Sequence, residues 1–507
     1  MFKKTLIANR GEISVRVIRA CRELGITSVA VYSTVDRDSM HVQLADEAVC
    51  IGEASPEKSY LNIDAIINAA RETNAEAIHP GYGFLAENHL FAERCETEGI
   101  AFIGPHSKAL KLVGDKVASR KVTEAVGIPI IPGMKGKSTD VDECMVEADK
   151  IGFPVLLKAS AGGGGKGMRV IYSKDELKDA VEAGMREAKS AFGDPSVYLE
   201  KYIEQPRHIE FQILADKYGN AIHLFERECS IQRRHQKIIE ESPSTALDDD
   251  MRKRMGDTAL KVVRVSEYSN AGTVEFLVDE DKNFYFLEVN ARLQVEHPVT
   301  ELVTGIDLVH SQLRIAAGEK LWLKQHQLHQ NGHSIECRIY AEDPQHNFLP
   351  SAGKILFMKE PSGPGIRHDC GIYSGYNVSV YYDPILSKLI AWAPTRETCC
   401  KRVASALADF PILGIKTNIE FLHDVITHPE FSAGNTFTDF ISINMADWRP
   451  KSLDQSGLAN GILDEALIVA AVFSSSIKKS KTLPTKTESI PSPWQTLGEW
   501  RIGIGLD

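Results

Sequence analysis

Alternating strand-like and helix-like hydrophobic patterns predict a parallel α/β domain in residues 1–114. The stretch GEISVRVIRACRELG has apolar residues at helical spacing, and it lies between the short apolar stretches TLIAN and TSVAVYS. A second helical pattern, AIINAARE, is followed by the strand patterns EAIHP and IAFIGP. Strands separated by helices are typical of a parallel sheet with right-handed crossovers.

The middle and the end of the chain have different patterns. FPVLLKAS, Phe153–Ser160, predicts a buried strand, and residues 206–300 are rich in strand patterns such as HIEFQILAD, AIHLFERECS, GTVEFLVD and NFYFLEVN. Residues 335–445 predict a mixed α/β segment. From about Arg449 the chain becomes polar, and SSSIKKSKTLPTKTESIPSP predicts a linker. A chain of 507 residues is expected to form two to four domains.

The stretch FLEVNARLQVEH, residues 286–297, alternates polar and apolar residues. A period of two places alternate residues on one face of a strand. An ordinary surface strand would accept Lys, Ser or Thr on its polar face. Here that face has five different polar groups and none of these three types, which indicates a site. The residues are Glu288, Asn290, Arg292, Gln294 and Glu296.

The preceding segment, GTVEFLVDEDKNFYFLEVN, predicts a β-hairpin. With a four-residue loop at Glu280–Asn283, Glu275 lies opposite Glu288 on one face. Two facing carboxylates repel unless a cation lies between them, and a hard cation such as Mg²⁺, with Asn290 beside it, would remove the repulsion. A five-residue loop would send Glu275 to the other face. An amphipathic strand facing solvent is the alternative interpretation.

Two glycine-rich stretches follow predicted strands. HPGYGFLAE contains a G-x-G-x-x-A pattern, but a glycine turn between strand and helix explains it better than a dinucleotide site does. AGGGGKGM lets backbone N–H groups approach an anion. It lacks the Ser or Thr of a Walker A loop, and a flexible hairpin tip is the alternative. Lys158 lies in the apolar strand before it, and a buried ammonium needs an anionic partner such as a phosphate.

Basic and polar residues also cluster in two strand-like segments. HIEFQ alternates His208, Glu210 and Gln212. SIQRRHQK contains a denser group, and a solvated basic face is the alternative interpretation for it. Together with the glycine loop and the hairpin, the cluster favours a polyphosphate pocket. Its members are Gln232, Arg233, Arg234, His235 and Lys237.

Composition limits the classes of function. The net charge of −11, from 58 basic and 69 acidic residues, argues against a general nucleic-acid or membrane binder. Nine cysteines without a C-x-x-C pair favour a reducing cytosol over a disulfide framework or a zinc site. No signal peptide or bilayer-spanning stretch is predicted, so we expect a cytoplasmic enzyme.

The motifs, taken together and in order, resemble the biotin carboxylase family. The resembling segments are collinear over residues 1 to about 446 and include MFKKTLIANRGE, HPGYGFLAEN, KASAGGGGKGM, YLEKYIEQPRHIEFQ, RECSIQRRHQK and FLEVNARLQVEHPVTE. The set is highly specific, although no single member is. The resemblance implies a multidomain α/β and α+β fold of the ATP-grasp type. Its expected parts are a Rossmann-like domain at 1–114, an ATP-grasp domain at 115–320 with a mobile lid at about 131–204, a mixed α/β C-terminal domain at 335–446, and at 447–507 a helical extension, a linker and the start of a further domain.

The resemblance also implies roles for individual residues. The catalytic group would be Glu296, which deprotonates bicarbonate, with Arg292, Arg338 and Lys237. Bicarbonate and biotin would be held by Lys237, Arg292, Gln294, Val295 and Arg338, and the metal by Glu275, Glu288 and Asn290. ATP would be bound by Lys116, Lys158, Gly163, Gly164, Gly165, Glu200, Lys201, Ile203, His208, Gln232, His235, Glu275 and Glu288.

The implied activity is ATP- and bicarbonate-dependent carboxylation of biotin through carboxyphosphate, with Mg²⁺ or Mn²⁺ as cofactor. No A-M-K-M biotin attachment sequence is present, so biotin is expected on a partner chain or a missing segment. Expected partners are a biotin carboxyl carrier, a carboxyltransferase subunit and a second copy of the chain. The tail SPWQTLGEWRIGIGLD resembles the start of a further domain in larger acyl-CoA carboxylase subunits. The acceptor, which is acetyl-CoA, propionyl-CoA, another acyl-CoA or pyruvate, stays open.

Two rival functions remain. The first is another ATP-grasp ligase that makes an acyl phosphate, such as a carbamoyl-phosphate-forming domain. The second is a nucleotide-sensing scaffold without turnover. RLQVEHP together with Arg338 favours biotin over the first, and the presence of Lys237, Glu296 and Arg338 argues against the second.

Overall fold

The computed structural model describes residues 1–159 and 168–450, with the side chains of all of these except residues 116–118, 191 and 192. The first part of the chain forms a five-stranded parallel sheet of order β3-β2-β1-β4-β5, which confirms the predicted α/β arrangement. Its strands are β1 Lys4–Ile7, β2 Thr27–Ser33, β3 Glu47–Gly52, β4 Ala77–His79 and β5 Ala101–Phe102. Its helices are α1 Gly11–Glu23, α2 Met40–Leu44, α3 Ile63–Glu72, α4 His89–Thr97 and α5 Ser107–Gly114.

Helix α1 forms where the helical pattern predicts it. Ile13, Val17, Ile18 and Cys21 are all buried on one face, as residues three or four apart on a helix should be. Gly25 follows the helix with a φ of 68° and ends it. The glycines of HPGYGFLAE form a turn between β4 and α4, as predicted.

A separate three-stranded antiparallel sheet, of order β7-β6-β8, follows. Strand β6 alternates, so Val155, Leu157 and Ala159 are buried in a local core while Lys158 faces the other way. The elements are α6 Lys116–Ala125, α7 Val141–Ile151, β6 Val155–Ala159, β7 Arg169–Ile171, α8 Lys174–Phe192 and β8 Val197–Lys201.

The largest feature is an eight-stranded antiparallel sheet of order β13-β12-β9-β10-β11-β14-β21-β19. Because β11 pairs with β14, the sheet runs across the predicted boundary near residues 320–335. Its first strands and their helices are β9 Arg207–Ala215, β10 Ala221–Arg233, β11 Gln236–Ser242, α9 Asp249–Val265, β12 Asn270–Val278, β13 Phe284–Asn290, α10 His297–Thr304 and α11 Leu308–Ala316.

The remaining described residues complete this sheet and form three two-stranded sheets, β15-β16, β17-β20 and β18-β22. The strands are β14 His333–Tyr340, β15 Glu342–Asp343, β16 Leu349–Pro350, β17 Gly353–Lys354, β18 Phe357–Met358, β19 Ile366–Cys370, β20 Asn377–Val378, β21 Ile385–Ala393 and β22 Ile412–Leu413. The helices are α12 Arg396–Ala408, α13 Ile419–Ile426, α14 Pro429–Ala433 and α15 Phe440–Asn444. The predicted linker and tail lie outside the described residues.

All nine cysteines lie in the described part of the chain and none forms a disulfide there; eight of them are buried. In the same residues, no helix combines the length and the apolarity that crossing a bilayer requires.

Candidate functional site

The hairpin of β12 and β13 sets Glu275 opposite Glu288, which confirms the predicted pairing. The predicted four-residue loop at Glu280–Asn283 is wrong. Val278 pairs with Phe284, so five residues separate the two strands.

A β-bulge explains why the glutamates still face each other. Pairing continued from the turn without a shift would set Glu275 opposite Leu287. The register shifts between Glu275 and Phe276, where β13 contributes one extra residue. A bulge of this kind re-aims the side chains beyond it, and here it returns Glu288 to the face of Glu275.

The strand ends at Asn290, before the polar alternation does. Arg292, Gln294 and Glu296 lie in the connection to α10, which begins at His297, so the prediction of one strand face over all five polar residues is wrong. The chain must leave the sheet before His297 to start the helix. Polar and apolar residues still alternate in this connection, and its apolar residue Leu293 is fully buried in the core.

One cleft of about 540 Å³ is lined by every residue to which the family resemblance gives a role and whose side chain the structure describes. It opens between the β6–β8 sheet and the face of the large sheet. Gly163, Gly164 and Gly165 and the side chain of Lys116 lie outside the described part. The predicted residues in the cleft are Lys158, Glu200, Lys201, Ile203, His208, Gln232, His235, Lys237, Glu275, Glu288, Asn290, Arg292, Gln294, Val295, Glu296 and Arg338.

Lys237, from β11, lies at the centre of three carboxylates. Its Nζ donates to Glu210 Oε2 at 2.5 Å, to Glu275 Oε1 at 2.8 Å and to Glu296 Oε1 at 2.8 Å. Burial alone would lower the pKa of the Lys237 ammonium, but the surrounding acidic groups raise it well above its ordinary value. Lys237 is therefore a fixed cation.

Glu296 is held between two cations. Its second oxygen, Oε2, accepts a hydrogen bond from Arg338 Nη2 at 3.0 Å, while Lys237 contacts Oε1. Burial would raise the pKa of Glu296, but Lys237, Arg338 and Arg227 keep it well below the usual value. Glu296 is therefore ionised at neutral pH, as a proton acceptor must be.

Arg338 is oriented by a carboxylate that the sequence did not reveal. Its Nε donates to Glu240 Oε1 at 2.6 Å, and Glu240 lies on β11, next to the strand of Arg338. Burial raises the pKa of Glu240 to about 7, against the opposing effect of Arg338.

The sequence reasoning also missed Arg227, a fully buried residue of β10. Its Nε donates to Glu210 Oε1 at 2.5 Å, and its Nη2 donates to Gln294 Oε1 at 2.6 Å. Arg227 thus fixes Glu210 behind Lys237 and fixes Gln294 in the turn before Glu296. No local pattern pointed to it, because an arginine in a strand that mixes polar and apolar residues is expected on the surface.

At the hairpin end of the cleft, Glu275 already has partners at both oxygens. Gln294 Nε2 donates to Oε1 at 3.0 Å, and His208 Nε2 lies 2.9 Å from Oε2. Gln232 lies 3.0 Å from the other ring nitrogen of His208. These contacts join the predicted nucleotide residues to the predicted metal ligands.

The partner of Lys158 is a carboxylate, so the Lys158 ammonium is neutralised without a phosphate. Lys158 Nζ contacts Glu200, which also accepts a hydrogen bond from Arg120. Lys201 directs its ammonium away from this pair and donates to the backbone oxygens of Gly152 and Phe153. Arg120 is a further cation at this edge of the cleft that the sequence did not indicate.

The predicted basic cluster divides in two. Arg234 and His235 both have positive φ, 53° and 65°, and form the two-residue turn between β10 and β11. Arg233 pairs with Glu342 at 2.8 Å, and Arg234 donates to Asn347 Oδ1 at 2.8 Å. The prediction that all five residues form one pocket is therefore wrong for Arg233 and Arg234.

Arg292 forms a fork across the mouth of the cleft. Its Nε donates to Glu87 Oε2 at 3.0 Å, and its Nη2 donates to Asn290 Oδ1 at 2.8 Å. Glu87 belongs to the HPGYGFLAE turn region, so this contact joins the first sheet to the predicted site.

A second cavity, of about 390 Å³, adjoins the cleft. The two share Val295, Arg338, Tyr340 and Asp383. The far wall of the second cavity is aromatic, with Tyr82, Phe84, Tyr381 and Tyr382. Arg338 and the turn before Glu296 therefore lie between two openings.

Comparison with known proteins matches three family models along the chain. They are the biotin carboxylase N-terminal domain at residues 1–110, the carbamoyl-phosphate synthase L chain ATP binding domain at residues 115–324, and the biotin carboxylase C-terminal domain at residues 336–443. The chain belongs to the biotin carboxylase family. This family membership confirms the resemblance seen in the sequence.

Curated relatives and solved structures agree with this assignment. Biotin carboxylase from Nostoc sp. is 54% identical over 87% of this chain and 98% of its own length. The mitochondrial methylcrotonoyl-CoA carboxylase subunit alpha of Dictyostelium discoideum is 47% identical over 99% of this chain and 71% of its own length. The biotin carboxylase domain dimer of Hydrogenobacter thermophilus 2-oxoglutarate carboxylase, in complex with MgADP, ADP and bicarbonate, is 51% identical. It has a TM-score of 0.84 and covers 87% of this chain and 97% of that one.

Proposed function

We propose that the chain carboxylates biotin on a carrier, using ATP and bicarbonate and forming carboxyphosphate. The overall reaction converts ATP, bicarbonate and biotin to ADP, phosphate and carboxybiotin. The proposal rests above all on one observation: an ionised Glu296 fixed between Lys237 and Arg338. Its neighbours Val295 and Arg338 line both cavities. This arrangement supplies a proton acceptor beside two cations that can hold bicarbonate.

The residues divide the work along the cleft. Glu296 takes the proton of bicarbonate, and Lys237 and Arg292 neutralise the resulting oxyanion. Bicarbonate oxygen then forms a bond to the γ-phosphorus of ATP, and ADP leaves. Phosphoryl transfer of this kind depends mainly on positioning and charge neutralisation, which suits the clustered cations.

ATP is assigned to the same cleft, at its hairpin and lid sides. The proposed nucleotide contacts are the predicted residues Lys158, Glu200, Lys201, Ile203, His208, Gln232 and His235, which line the cleft, with Lys116 and the glycine loop. The predicted domains stay as proposed: 1–114, 115–320 with its lid at about 131–204, and 335–446. A closed lid would exclude water from carboxyphosphate.

Mg²⁺ or Mn²⁺ fits the hairpin. Glu275 and Glu288 face each other in register, with Asn290 next along the strand, and all three offer oxygen, as a hard cation prefers. A bound metal would neutralise charge on the nucleotide phosphates.

A different set, His208, Glu210 and Glu275, also brings potential ligand atoms within 4.8 Å of one another. Lys237 Nζ lies 2.5 Å from Glu210 and 2.8 Å from Glu275, so an ammonium already neutralises this group. Two of the three members of this group thus already contact an ammonium, and the hairpin set stays the proposed site for the metal.

Biotin is assigned to the second cavity. Its aromatic wall suits the apolar, sulfur-containing ring of biotin, and Arg338 lines the same cavity. The ureido nitrogen would give its proton to the phosphate released from carboxyphosphate and then form a bond to the carboxyl carbon. The Arg338 guanidinium would stabilise the negative charge on the ureido oxygen once that proton is lost.

The proposed partners follow from the same reaction. They are a biotin carboxyl carrier and a carboxyltransferase subunit, in a homodimer like the Hydrogenobacter biotin carboxylase domain dimer. The propionyl-CoA carboxylase alpha chain of Sus scrofa is 46% identical over 100% of this chain. This match and the Dictyostelium one, both of mitochondrial proteins, favour an acyl-CoA as the final acceptor. The cytoplasm and fatty-acid metabolism stay as the setting predicted from the sequence.

Phosphate release from MgATP, with and without bicarbonate and free biotin, tests the proposal. Release that needs bicarbonate and rises with biotin supports it. Glu397→Gln, on the exposed face of α12, is the matched control for Glu296→Gln and should release phosphate as the wild type does. Bicarbonate-dependent release that ammonia raises and biotin does not would favour the carbamoyl-phosphate alternative, because ammonia accepts the carboxyl group of carboxyphosphate there. No release under any condition would favour the scaffold alternative.

A further inference from the structure

Lys388, in the middle of β21, is a fully buried lysine outside the predicted site. Its Nζ donates to the backbone oxygen of Val295 at 2.9 Å. Val295 immediately precedes Glu296, in the turn that leads into α10. A buried ammonium is costly unless it is paired, so the neighbours of Lys388 decide what it does.

Two carboxyl groups from two other parts of the chain lie close to the Lys388 ammonium. Glu12 Oε2, from the first turn of α1, lies 3.4 Å from Nζ, and Asp369 Oδ2, from β19, lies 3.8 Å from it. Asp369 is itself held by Arg367 at 2.8 Å. The ammonium thus connects α1, β19 and the turn of Val295.

Glu12 reaches further, to the wall of the second cavity. Its other oxygen accepts a hydrogen bond from the hydroxyl of Tyr82, and both residues line that cavity. The close approach of α1 depends on Gly371, because a Cβ there would lie 2.6 Å from the backbone nitrogen of Glu12. Glycine at this position lets Glu12 come within reach of Lys388.

We infer that Lys388 and Glu12 form a buried bridge that positions the Glu296 turn against the aromatic wall of the acceptor cavity. One end of the bridge is the Val295 carbonyl and the other is the Tyr82 hydroxyl. Both are positioning residues, since neither touches the reacting atoms. This inference rests on the proposed function, because it assigns the second cavity to the carboxyl acceptor.

Loss of the bridge should impair the reaction with the carboxyl acceptor and leave the binding of MgATP largely unchanged. Neither Lys388 nor Glu12 lines the large cleft. Glu12 lines the second cavity, and Val295 lines both. A misplacement of about 1 Å at a reacting group can reduce the rate about a hundredfold. Loss of the bridge should therefore lower kcat/KM for biotin with little change in the KM for MgATP.

The test compares Lys388→Met, which keeps length without charge, and Glu12→Gln, which keeps an acceptor for Tyr82. Full-length variants are assayed for phosphate release, with MgATP and then free biotin as the varied substrate. Both variants should lower kcat/KM for biotin about tenfold or more and keep the KM for MgATP within about twofold.

The matched control is Arg396→Met. Arg396 is paired with Glu241 at 2.7 Å and lines neither cavity. It should lower the melting temperature and leave both kinetic constants unchanged.

Three results would overturn the bridge. One is a KM for MgATP that rises as much as kcat/KM for biotin falls. Another is a behaviour like that of Arg396→Met, with a change in melting temperature only. The third applies if Lys388→Met does not fold: unchanged biotin kinetics in Glu12→Gln alone refutes the inference. A wild-type chain whose phosphate release ignores both bicarbonate and biotin refutes the proposed function itself.

Discussion

At the scale of single residues, Glu296 is the group on which the chemistry turns. Glu296→Gln keeps the size of the side chain but removes the proton acceptor. Bicarbonate-dependent turnover should fall by about a hundredfold or more. Lys237 retains Glu210 and Glu275 as partners, so MgATP affinity should stay nearly intact. Steady-state kinetics with a parallel nucleotide titration measures both. Weaker nucleotide binding with turnover preserved would contradict the assigned role.

Arg227 shows how a residue without any local signal can organise a site. It is buried with contacts to Glu210 and Gln294. Its removal takes away one of the cations that balance the buried negative charge of Glu210. Arg227→Met should lower the free energy of unfolding by about 3–5 kcal/mol.

Urea unfolding measures this loss. Arg254→Met, in an exposed pair with Asp250, is the control and should change the free energy by less than about 0.5 kcal/mol. Equal losses of unfolding free energy in the two variants would show that the buried contacts of Arg227 stabilise the fold no more than an exposed ion pair does.

At the scale of elements, the sequence predicted the hairpin but not the way it closes. The period of two located β12 and β13. The facing of Glu275 and Glu288 was predicted from a four-residue loop, whereas the structure reaches it with a five-residue loop and a bulge. The sequence did not predict the bulge, because an extra residue in one strand changes no hydrophobic position near the turn. The same limit applies to the end of β13 at Asn290, where the polar alternation continues in a connection that is no longer strand.

The junction of β11, β14 and α12 gives an element-scale prediction about pH. Burial would raise the pKa of Glu241, but His333 and Arg396 lower it from 4.5 to about 2. A depressed carboxyl pKa stabilises the fold above the unfolded value and loses that effect as pH falls through the folded one. The contribution should therefore be complete above about pH 4.5 and vanish towards pH 2.

Glu241→Gln tests this window. Its free energy of unfolding should lie about 3 kcal/mol below wild type at pH 7. The gap should narrow steadily between pH 4.5 and pH 2. Urea unfolding at a series of pH values measures it, and a gap that stays constant with pH would show that the Glu241 charge is not what stabilises the junction.

At the scale of the whole molecule, one sheet joins segments that the sequence divides. Alternating patterns predicted the parallel first domain, and collinear motifs predicted the family. The pairing of β11 with β14 had no local signal, since the two strands are far apart in the chain and β-pairing is decided by tertiary contacts. This pairing is what brings Arg338 to Glu296 and closes the site around Lys237.

The most direct test of the central claim measures whether the carbon of bicarbonate is transferred to biotin. The chain is incubated with carbon-labelled bicarbonate, MgATP and biotin, and labelled carboxybiotin is measured. We predict label in biotin only when ATP and bicarbonate are both present, and its loss in Glu296→Gln and Arg338→Ala. Phosphate release from ATP without any label in biotin or in a biotinylated carrier would contradict the account.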